Sequence, residues 1–388
     1  MPQNASLQAH LDEIRRTMPI GVAENYTGIV AIDFEDWAPV WSEDTSKDGW
    51  HSAAYQNLSI ALVLQQEPNL PLAEAKAKAK KAFESAALEF FVETIKLCRT
   101  LRPNARWGYY GFPQAFTFKG YDSANGPTLR ALNDQLQPLW DASDVLLPSI
   151  YLAQWGAPAA TLAKMNAGQI NTTVLESVRL QKQAVHHPPI YPFMYSYYNS
   201  GRQNVTLTAE DTTASVAFPF ALGATGLVVW GDPSYKNHTV PGTVTQFQRY
   251  YKAVLGPTIA AVRKTAQECA AGRCHGHGRC IGSGCDCEPG FSPTSNCSSA
   301  TRAAVRAKAD ESGVTNRGRS EKNGAQCLDG EWVGTEVGAV DPRGEYHGSV
   351  RARLSLKAGA GTYTVEGSAP TFLRGGSGLV TIALVARR

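Results

Sequence analysis

The sequence contains no long hydrophobic run. No apolar stretch approaches the roughly 18 residues that a membrane-spanning helix requires, so we predict no transmembrane segment. The first residues, Met1-Pro2-Gln3-Asn4, are not a basic segment followed by an apolar one, so no signal peptide is visible. Hydrophobic residues nevertheless make up 43% of the 388 residues and charged residues 18%, which is typical of a globular protein. The length allows one domain of about 250 residues and a smaller one.

The main part of the chain also has little net charge. From residue 300 onward there are 13 Lys/Arg and 9 Asp/Glu, a balance of +4 against the total of +3, which leaves residues 1–299 at about −1. Such a body has no basic excess with which to attract nucleic acid or to steer a polyanion from a distance. We therefore expect no nucleic-acid partner, and any polyanionic substrate would have to be bound by local contacts.

No G-x-G-x-x-G or Walker motif opens any predicted helix, which disfavours a nucleotide-binding sheet. Apolar, β-branched segments instead alternate with helical ones. Strands are predicted at 27–33, 105–110, 145–151, 190–195 and 226–230, and helices at 70–101, 128–140, 166–184, 209–222 and 243–255. This alternation predicts a parallel sheet, and at this length it favours a (β/α) barrel over an open doubly wound sheet.

Six of the eight cysteines lie in one short segment. They are Cys269, Cys274, Cys280, Cys285, Cys287 and Cys297. The residues between them are polar and rich in glycine and cannot form a core, so either disulfides or zinc must stabilise the segment. The paired spacings of zinc sites are missing and only His275 and His277 suggest a ligand pair, so disulfides are favoured. Cys98 and Cys327 have no obvious partner.

Asn-x-Ser/Thr sequons are more frequent than the roughly two that chance would give. They occur at Asn4, Asn25, Asn57, Asn171, Asn204, Asn237 and Asn296. Glycosylation acceptors combined with a disulfide segment indicate the secretory pathway. We therefore expect a secreted or lysosomal glycoprotein, although no signal peptide is visible.

Two carboxylates follow the first predicted strand. Asp33 and Glu35 are at i and i+2, which in an extended chain places both on one face with Cα atoms about 6–7 Å apart. Asp36 lies on the opposite face and is a poorer candidate. Two carboxyl groups this close cannot both ionise freely, so the pKa of one should rise, as a general acid requires. A D-x-E pair is often mere surface charge, but this one directly follows a buried strand.

Aromatic residues end the other predicted strands. Tyr110, Tyr151 and Trp230 are the last residues of their strands, and catalytic groups of a (β/α) barrel lie at those ends. Aromatic faces stack on the apolar faces of pyranose sugars, and carboxylates transfer protons. The pattern therefore predicts a sugar-binding site, although each aromatic residue could equally belong to the core.

Several motifs occur in a characteristic order between about residues 20 and 298. They are Ala31-Ile32-Asp33-Phe34-Glu35-Asp36-Trp37-x-Pro39, Leu101-Arg102-Pro103, Trp107-Gly108-Tyr109-Tyr110-Gly111-Phe112-Pro113, Asn133-Asp134-Gln135-Leu136, Leu147-Pro148-Ser149-Ile150-Tyr151, Gly226-Leu227-Val228-Val229-Trp230, and Leu255-Gly256-Pro257 followed by Cys274-x-Gly276-His277-Gly278-x-Cys280. Through these motifs the sequence resembles the hyaluronidase family, glycoside hydrolase family 56. Several motifs in one order are far more specific than any single one.

The resemblance implies a domain organisation. It implies a TIM-like (β/α) barrel catalytic domain at 1–262 and an EGF-like module at 263–298, and it leaves 299–388 as an unassigned Gly/Ala/Arg-rich tail. The family's first barrel strand would precede Gln3, so we expect a barrel without it. The spacing C-x₄-C-x₅-C-x₄-C-x-C-x₉-C resembles an EGF-like module, which implies the disulfides Cys269–Cys280, Cys274–Cys285 and Cys287–Cys297.

The resemblance also implies an activity, the endo-hydrolysis of hyaluronan. Glu35 would be the general acid and base, and the substrate's N-acetyl carbonyl would replace a protein nucleophile. Asp33 would orient the acetamido nitrogen, Tyr151 would hydrogen-bond the acetamido group, and Tyr110 and Trp230 would shape the sugar subsite. No metal or cofactor is expected.

The sequence departs from the family pattern at two places, one within the first motif and one directly after Pro113. Ala38 stands where the family usually has an arginine, and Gln114-Ala115 stands where an Asp-Cys pair is frequent. The alternatives are a chondroitin hydrolase, or a catalytically impaired glycan-binding or adhesion protein.

Overall fold

The computed structural model describes residues 1–41, 53–114, 121–124, 126–153, 159–199, 205–230, 243–288 and 290–301, together with the backbone of four strands between 329 and 384. The chain divides into two compact units. The first contains residues 1–229, 252–259 and 383–388, and the second contains residues 230–251 and 260–382. The predicted domain limits at 262 and 298 stay predictions.

Helices and strands alternate along the first 230 residues, as the sequence predicts. The helices of the described chain are α1 (Leu7–Gly21), α2 (Ala53–Gln66), α3 (Leu72–Leu101), α4 (Gly126–Asp134), α5 (Gln137–Ala142), α6 (Ala159–Gln183), α7 (Ala209–Leu222), α8 (Thr243–Tyr250) and α9 (Gly256–Gly272). The strands of this part are β1 (Ile29–Ile32), β2 (Arg106–Tyr109), β3 (Phe193–Tyr195) and β4 (Leu227–Trp230). Helices α1 and α2 were not predicted.

The first strands form a parallel sheet. β1 pairs with β2 in parallel, with Ile32 opposite Tyr109. The extended segment 145–150 comes next, through parallel bridges from Leu147 to Tyr110 and from Ser149 to Phe193. It forms bridges and not a full strand because Pro148 has no N–H to donate. The parallel arrangement predicted for these segments is therefore confirmed, whereas closure into a barrel stays a prediction.

The sheet continues from β3 to β4, and a short strand near the C-terminus, β10 (Ile382–Leu384), lies on the other side of β4. At the junction of β2 with segment 145–150 the chains approach very closely. A Cβ on Gly108 would lie 2.2 Å from the carbonyl oxygen of Val145, so only glycine fits there.

Helix α3 forms the core beneath the first two strands. Its buried residues recur every three or four positions, which is the pattern of a helix with one apolar face. They are Ala75, Ala79, Phe83, Ala87, Phe91, Val92, Thr94, Ile95 and Cys98. The ring of Phe91 stacks on that of Tyr109 in β2 with centroids 4.1 Å apart. This packing fixes α3 against the strands that carry the candidate site.

The predicted helix at 128–140 is two helices. α4 ends at Asp134 and α5 begins at Gln137, because Pro138 cannot continue a helix but is well suited to the first turn of the next. The indole N–H of Trp140 donates to the carbonyl oxygen of Asn133 across the break, at 2.8 Å. Further along, the predicted helix at 243–255 is α8 followed by a π-helical turn, Tyr251–Leu255.

A buried carboxylate links α4 to α6. Glu176 in α6 is fully buried, and its carboxylate accepts hydrogen bonds from Asn133 at 2.9 Å and from Arg179 at 2.7 and 2.8 Å. The amide of Asn133 also donates to the carbonyl oxygen of Gln114 at 3.0 Å, which connects this network to the segment after β2. Every one of these groups has a partner, as a buried charge requires.

The cysteine segment is held by three disulfides. They join Cys269 to Cys280, Cys274 to Cys285 and Cys287 to Cys297. The pairing implied by the resemblance is thus confirmed, and disulfides, not zinc, stabilise this segment. It contains an antiparallel hairpin of β5 (Gly278–Ile281) and β6 (Gly284–Cys287). Cys98 is buried and free, and Cys327 lies outside the described residues.

The tail contains an antiparallel sheet of β7 (Asp329–Val340), β8 (Tyr346–Ala358) and β9 (Gly361–Pro370). The sequence alternates weakly at 349–365, which spans parts of β8 and β9, and at 379–385, which contains β10. Among the helices that can be described, none is long and apolar enough to cross a membrane.

Candidate active site

Asp33 and Glu35 lie at the carboxyl end of β1, as predicted. Phe34 between them packs towards α3, with its ring centroid 5.8 Å from that of Phe91 and 4.8 Å from that of Trp37. Because side chains alternate along an extended chain, the carboxyl groups on either side of Phe34 face away from this core and are exposed. The D-x-E spacing therefore separates a packing residue from two polar ones.

The carboxyl groups of Asp33 and Glu35 are hydrogen-bonded to each other, which requires that they share a proton. Partial removal of Asp33 from water raises the pKa of its carboxyl, and the hydrogen bond with Glu35 opposes this rise only in part. A shared proton in such a pair is what a general acid needs.

Tyr110 and Tyr151 lie next to each other at the ends of two neighbouring segments of the sheet. Their hydroxyl groups are hydrogen-bonded, and their ring centroids are 6.0 Å apart. The hydroxyl of Tyr110 also interacts with Ser149, which is two residues before Tyr151 and therefore on the same face. The backbone N–H of Tyr110 donates to the carbonyl oxygen of Ile32 at 3.0 Å, which fixes Tyr110 beside the chain that leads to Asp33.

The two tyrosines and the two carboxyl groups belong to one electrostatic site. The pKa of Tyr110 is raised to about 12, mainly by burial and in smaller part by the charges of Glu35 and Asp33, with the hydrogen bonds to Tyr151 and Ser149 opposing the rise. Burial also raises the pKa of Tyr151 well above its ordinary value, with smaller contributions from Tyr110 and the same carboxylates. Both phenols therefore stay protonated at physiological pH and can donate hydrogen bonds.

Three residues around these tyrosines were not predicted. Phe193 lies 5.0 Å from Tyr110 and Tyr195 lies 5.3 Å from Tyr151, measured between ring centroids. The side-chain amide of Gln169 in α6 donates to the carbonyl oxygen of Tyr151 at 2.9 Å. The alternation of aromatic residues at 191, 193, 195 and 197 could have indicated the first two, because it places an aromatic face on one side of β3.

Trp230 is the last residue of β4, the strand end at which it was predicted, and its side chain is half-buried. It belongs to the second compact unit. Its role in a sugar subsite stays a prediction. Of the two departures from the family pattern, Ala38 is fully buried and Gln114 is buried, whereas Ala115 lies outside the described residues.

Among the described cysteine, histidine and acidic side chains, one cluster is compact enough to hold a metal ion. The sulfur atoms of Cys274, Cys285 and Cys297 lie within 4.8 Å of one another. Each of them is part of a disulfide, so none can act as a thiolate ligand. This cluster is therefore a disulfide core.

A family model and individual relatives of this chain agree on one protein family. The family model for hyaluronidase, glycoside hydrolase family 56, matches residues 1–325. The chain is 35% identical to human hyaluronidase PH-20 over 288 residues, 72% of this chain and 54% of that protein. It is 33% identical to human hyaluronidase-2 over 293 residues, 72% of this chain and 59% of that protein. The chain thus spans little more than half the length of these curated relatives.

A solved structure is also similar. Bee venom hyaluronidase in complex with a hyaluronic acid tetramer superposes with a TM-score of 0.57 at 27% identity, covering 68% of this chain and 79% of the bee protein. The similarity therefore extends from sequence motifs to the arrangement of the backbone.

Proposed function

The chain belongs to the hyaluronidase family, glycoside hydrolase family 56, and we propose on this basis that it is an endo-acting glycoside hydrolase. Its substrate is hyaluronan, in which it cleaves the β-1,4 bond between N-acetylhexosamine and glucuronate. The bee protein with a bound hyaluronic acid tetramer supports this choice of substrate.

The reaction proceeds in two steps with net retention at the anomeric carbon. In the first, the carbonyl oxygen of the substrate's own N-acetyl group attacks the anomeric carbon, while Glu35 gives its proton to the leaving glycosidic oxygen. In the second, water opens the resulting oxazolinium ring and returns a proton to Glu35. This substrate-assisted route is a known exception to the use of two protein carboxylates as acid and nucleophile.

The neighbouring groups have supporting roles. Asp33 orients the acetamido nitrogen and stabilises the positive charge that develops there. Tyr151 donates a hydrogen bond to the acetamido group, and Tyr110 and Trp230 shape the subsite for this sugar. The raised pKa values of the two tyrosines support these roles, because each phenol stays neutral and keeps its proton. The hydrogen bond with Glu35 lowers the pKa of Asp33 against the effect of burial, which supports Glu35 as the proton donor of the pair and Asp33 as the acceptor.

The proposal extends to the domains around the site and to the location of the protein. The parallel sheet from β1 to β4 belongs to a TIM-like barrel, and the disulfide segment is an EGF-like module. Three disulfides and exposed sequons at Asn4, Asn25, Asn57 and Asn296 support passage through the secretory pathway and a secreted or lysosomal location.

One observation carries the proposal. The carboxyl groups of Asp33 and Glu35 share a hydrogen bond, and their charges act on the hydrogen-bonded pair of Tyr110 and Tyr151. The site therefore combines a proton donor, a charged partner and two neutral phenols at the ends of parallel strands. Such a combination is suited to glycosidic bond cleavage.

The test is Glu35→Gln in the full chain. The amide keeps the volume of the side chain but cannot donate a catalytic proton, so we expect hyaluronan hydrolysis to fall by about 10²–10⁴-fold while binding and the thermal midpoint are kept. The matched control is Asp36→Asn, which removes the next carboxylate and should leave turnover close to that of the parent. Retention of more than about a tenth of the parental rate by Glu35→Gln would overturn the assignment.

Parallel assays on hyaluronan and chondroitin identify the substrate. Faster turnover of chondroitin would replace hyaluronan in the proposal. Binding of either polymer by the parent without any turnover would identify the protein as a glycan-binding protein instead.

A further inference from the structure

A shallow cavity lies beside the N-terminal half of α3, away from the carboxyl pair. It has a volume of about 420 Å³. Its walls include two lysines and an acid on α3, one apolar residue of the same helix, and two residues from other segments. These are Lys80, Lys81, Glu84, Leu88, Pro39 and Gln135.

The direction of α3 places this cavity on the same side of the sheet as the candidate active site. α3 ends at Leu101, shortly before β2 begins at Arg106, so it runs antiparallel to β2. Its N-terminal half must therefore lie towards the carboxyl end of the strand, where Tyr110 follows. Lys80 precedes Phe91 by 11 residues, which is about 16 Å along the helix axis.

The segment after the carboxyl pair leads to this cavity. Trp37 packs against Phe83, and so does Trp41, with ring centroids 6.1 and 5.9 Å apart. The backbone N–H of Trp41 donates to Glu84 at 2.9 Å. Residues 33–41 thus follow α3 from the carboxyl pair towards its N-terminus, and Pro39 reaches the cavity wall.

The two lysines are available to a ligand. Within the described part of the chain, neither Lys80 nor Lys81 has an ion pair, whereas Lys78 on the same helix is paired with Glu67 at 2.7 Å. Glu84, one turn after Lys80, is engaged by the backbone of Trp41. The cavity therefore combines two unpaired ammonium groups with an apolar floor and one carboxylate that is already bonded.

A polyanion that follows residues 33–41 needs positive charge from another element, because this segment contains none. Residues 33–41 contain the carboxylates of Asp33, Glu35 and Asp36 but no lysine or arginine. A polysaccharide with a carboxylate in each repeat would be repelled along this segment unless a neighbouring element provided positive charge.

We propose that Lys80 and Lys81 form an exosite that binds a uronate carboxylate of the polysaccharide, on a sugar unit distant from the bond that is cleaved. Pro39 and Leu88 would contact the apolar face of that sugar while the ammonium groups bind its carboxylate. This inference rests on the proposed function, since it assumes a uronate-containing polymer. It assigns the two lysines to the binding of long chains, with no part in bond cleavage.

The test compares Lys80→Ala/Lys81→Ala with a matched double variant, Lys78→Ala/Lys96→Ala, in the full chain. The matched variant removes two lysines from the same helix, but both are already paired with acids, at 2.7 and 2.8 Å. For the exosite variant we expect kcat/KM on long hyaluronan at low salt to fall about three- to tenfold through a higher KM. The loss should shrink at high salt, because salt screens exposed charges.

Short hyaluronan oligosaccharides provide the decisive comparison. The exosite variant should lose much less on them than on the polymer, since a short chain at the active site does not reach the lysines. An equal loss on both substrates, or the same loss in the matched variant, would overturn the exosite.

Binding to immobilised hyaluronan, measured in a Glu35→Gln background, separates this inference from the hydrolase proposal. Lysine-dependent, salt-sensitive binding in this background, combined with no turnover by the parent protein, would support the exosite and refute the hydrolase. Unchanged binding of the exosite variant beside normal turnover by the parent would refute the exosite alone.

Discussion

The hydroxyl groups of Tyr110 and Tyr151 are hydrogen-bonded to each other between two adjacent segments of the parallel sheet. Both tyrosines are half-buried. Ser149 interacts with the hydroxyl of Tyr110, and the side-chain amide of Gln169 donates to the backbone carbonyl oxygen of Tyr151. The phenol of Tyr110 is thus held by Ser149 and Tyr151, and Tyr151 is held through its phenol by Tyr110 and through its backbone by Gln169. The tyrosines therefore form a rigid wall for whatever binds at Asp33 and Glu35.

We expect Tyr151→Phe to lower kcat/KM on hyaluronan by about 10²-fold, which is typical of the loss of one positioned donor in an active site. The thermal midpoint should change little, because the ring is kept. Tyr109→Phe is the matched control: its hydroxyl donates to the carbonyl oxygen of Phe91 in the core, so its loss should affect stability and not turnover. Full activity of Tyr151→Phe would remove this residue from the site.

Asp33 should make stability depend on pH in a direction opposite to that of an ordinary paired acid. Its pKa is raised in the folded state, so the folded protein keeps a proton that the unfolded chain loses above about pH 3.9. Stability therefore falls as pH rises through the interval between the unfolded and folded pKa values, and the ionised carboxylate is unfavourable above it.

Asp33→Asn, which cannot ionise, should accordingly raise the thermal midpoint at pH 7 and raise it less near pH 4. Thermal melts of the parent and the variant at both pH values measure this difference, with Asp36→Asn as the control. An equal change at the two pH values would contradict the raised pKa. Turnover of Asp33→Asn should fall at the same time, which would identify Asp33 as a residue that is retained for function at a cost in stability.

Strand β1 and the residues after it illustrate how much the sequence could predict. The apolar run Ile29–Ile32 indicates the position of β1. The alternation of polar and apolar residues at Asp33, Phe34 and Glu35 indicates that the two carboxyl groups share a face. The tyrosine cluster could be predicted only in part. Gln169 is 18 residues from Tyr151 in sequence, and nothing local to either residue indicates their contact.

Prolines and unpredicted helices account for much of the rest. Pro138 divides a helix that periodicity alone predicts as continuous, and Pro148 turns a predicted strand into isolated bridges. Helix α1 contains Pro19 near its end, which weakens its helical signal, although Ser6 caps it by accepting from Ala9 at 3.2 Å. In each case a backbone effect of proline competes with side-chain pattern.

The buried carboxylate of Glu176 should be important for stability. Glu176→Leu would remove the acceptor that Arg179 and Asn133 share, while Arg179 keeps its ion pair with Asp134 and Asn133 its bond to Gln114. We therefore expect the free energy of unfolding to fall by about 2 kcal/mol. Glu13→Gln is the control, because Glu13 forms a solvent-exposed pair with Arg16 whose loss should have little effect on the free energy of unfolding. Urea denaturation of both variants makes the comparison, and similar costs would show that burial of the pair is unimportant.

Thiol reactivity should distinguish Cys98, the free cysteine among the described residues, from the six paired ones. Burial raises the pKa of Cys98 to about 12, and its side chain is almost inaccessible, so it should not react with iodoacetamide in the native protein. Denaturation without reductant should expose Cys98 while the three disulfides stay intact. Mass spectrometry of the alkylated peptides from 269–297 would contradict this if it found modified cysteines before reduction.

Each disulfide closes a loop with a sequence separation of 10 or 11 residues, and the first two overlap, because Cys274 lies between Cys269 and Cys280. Short loops close readily, but incorrect partners are equally close along the chain, so oxidation alone cannot select the native pairs. The correct set has to be reached by thiol–disulfide exchange, which takes seconds to hours without a catalyst. A host that oxidises the newly made chain and also supplies an isomerase should therefore yield more correctly paired protein than a reducing cytosol.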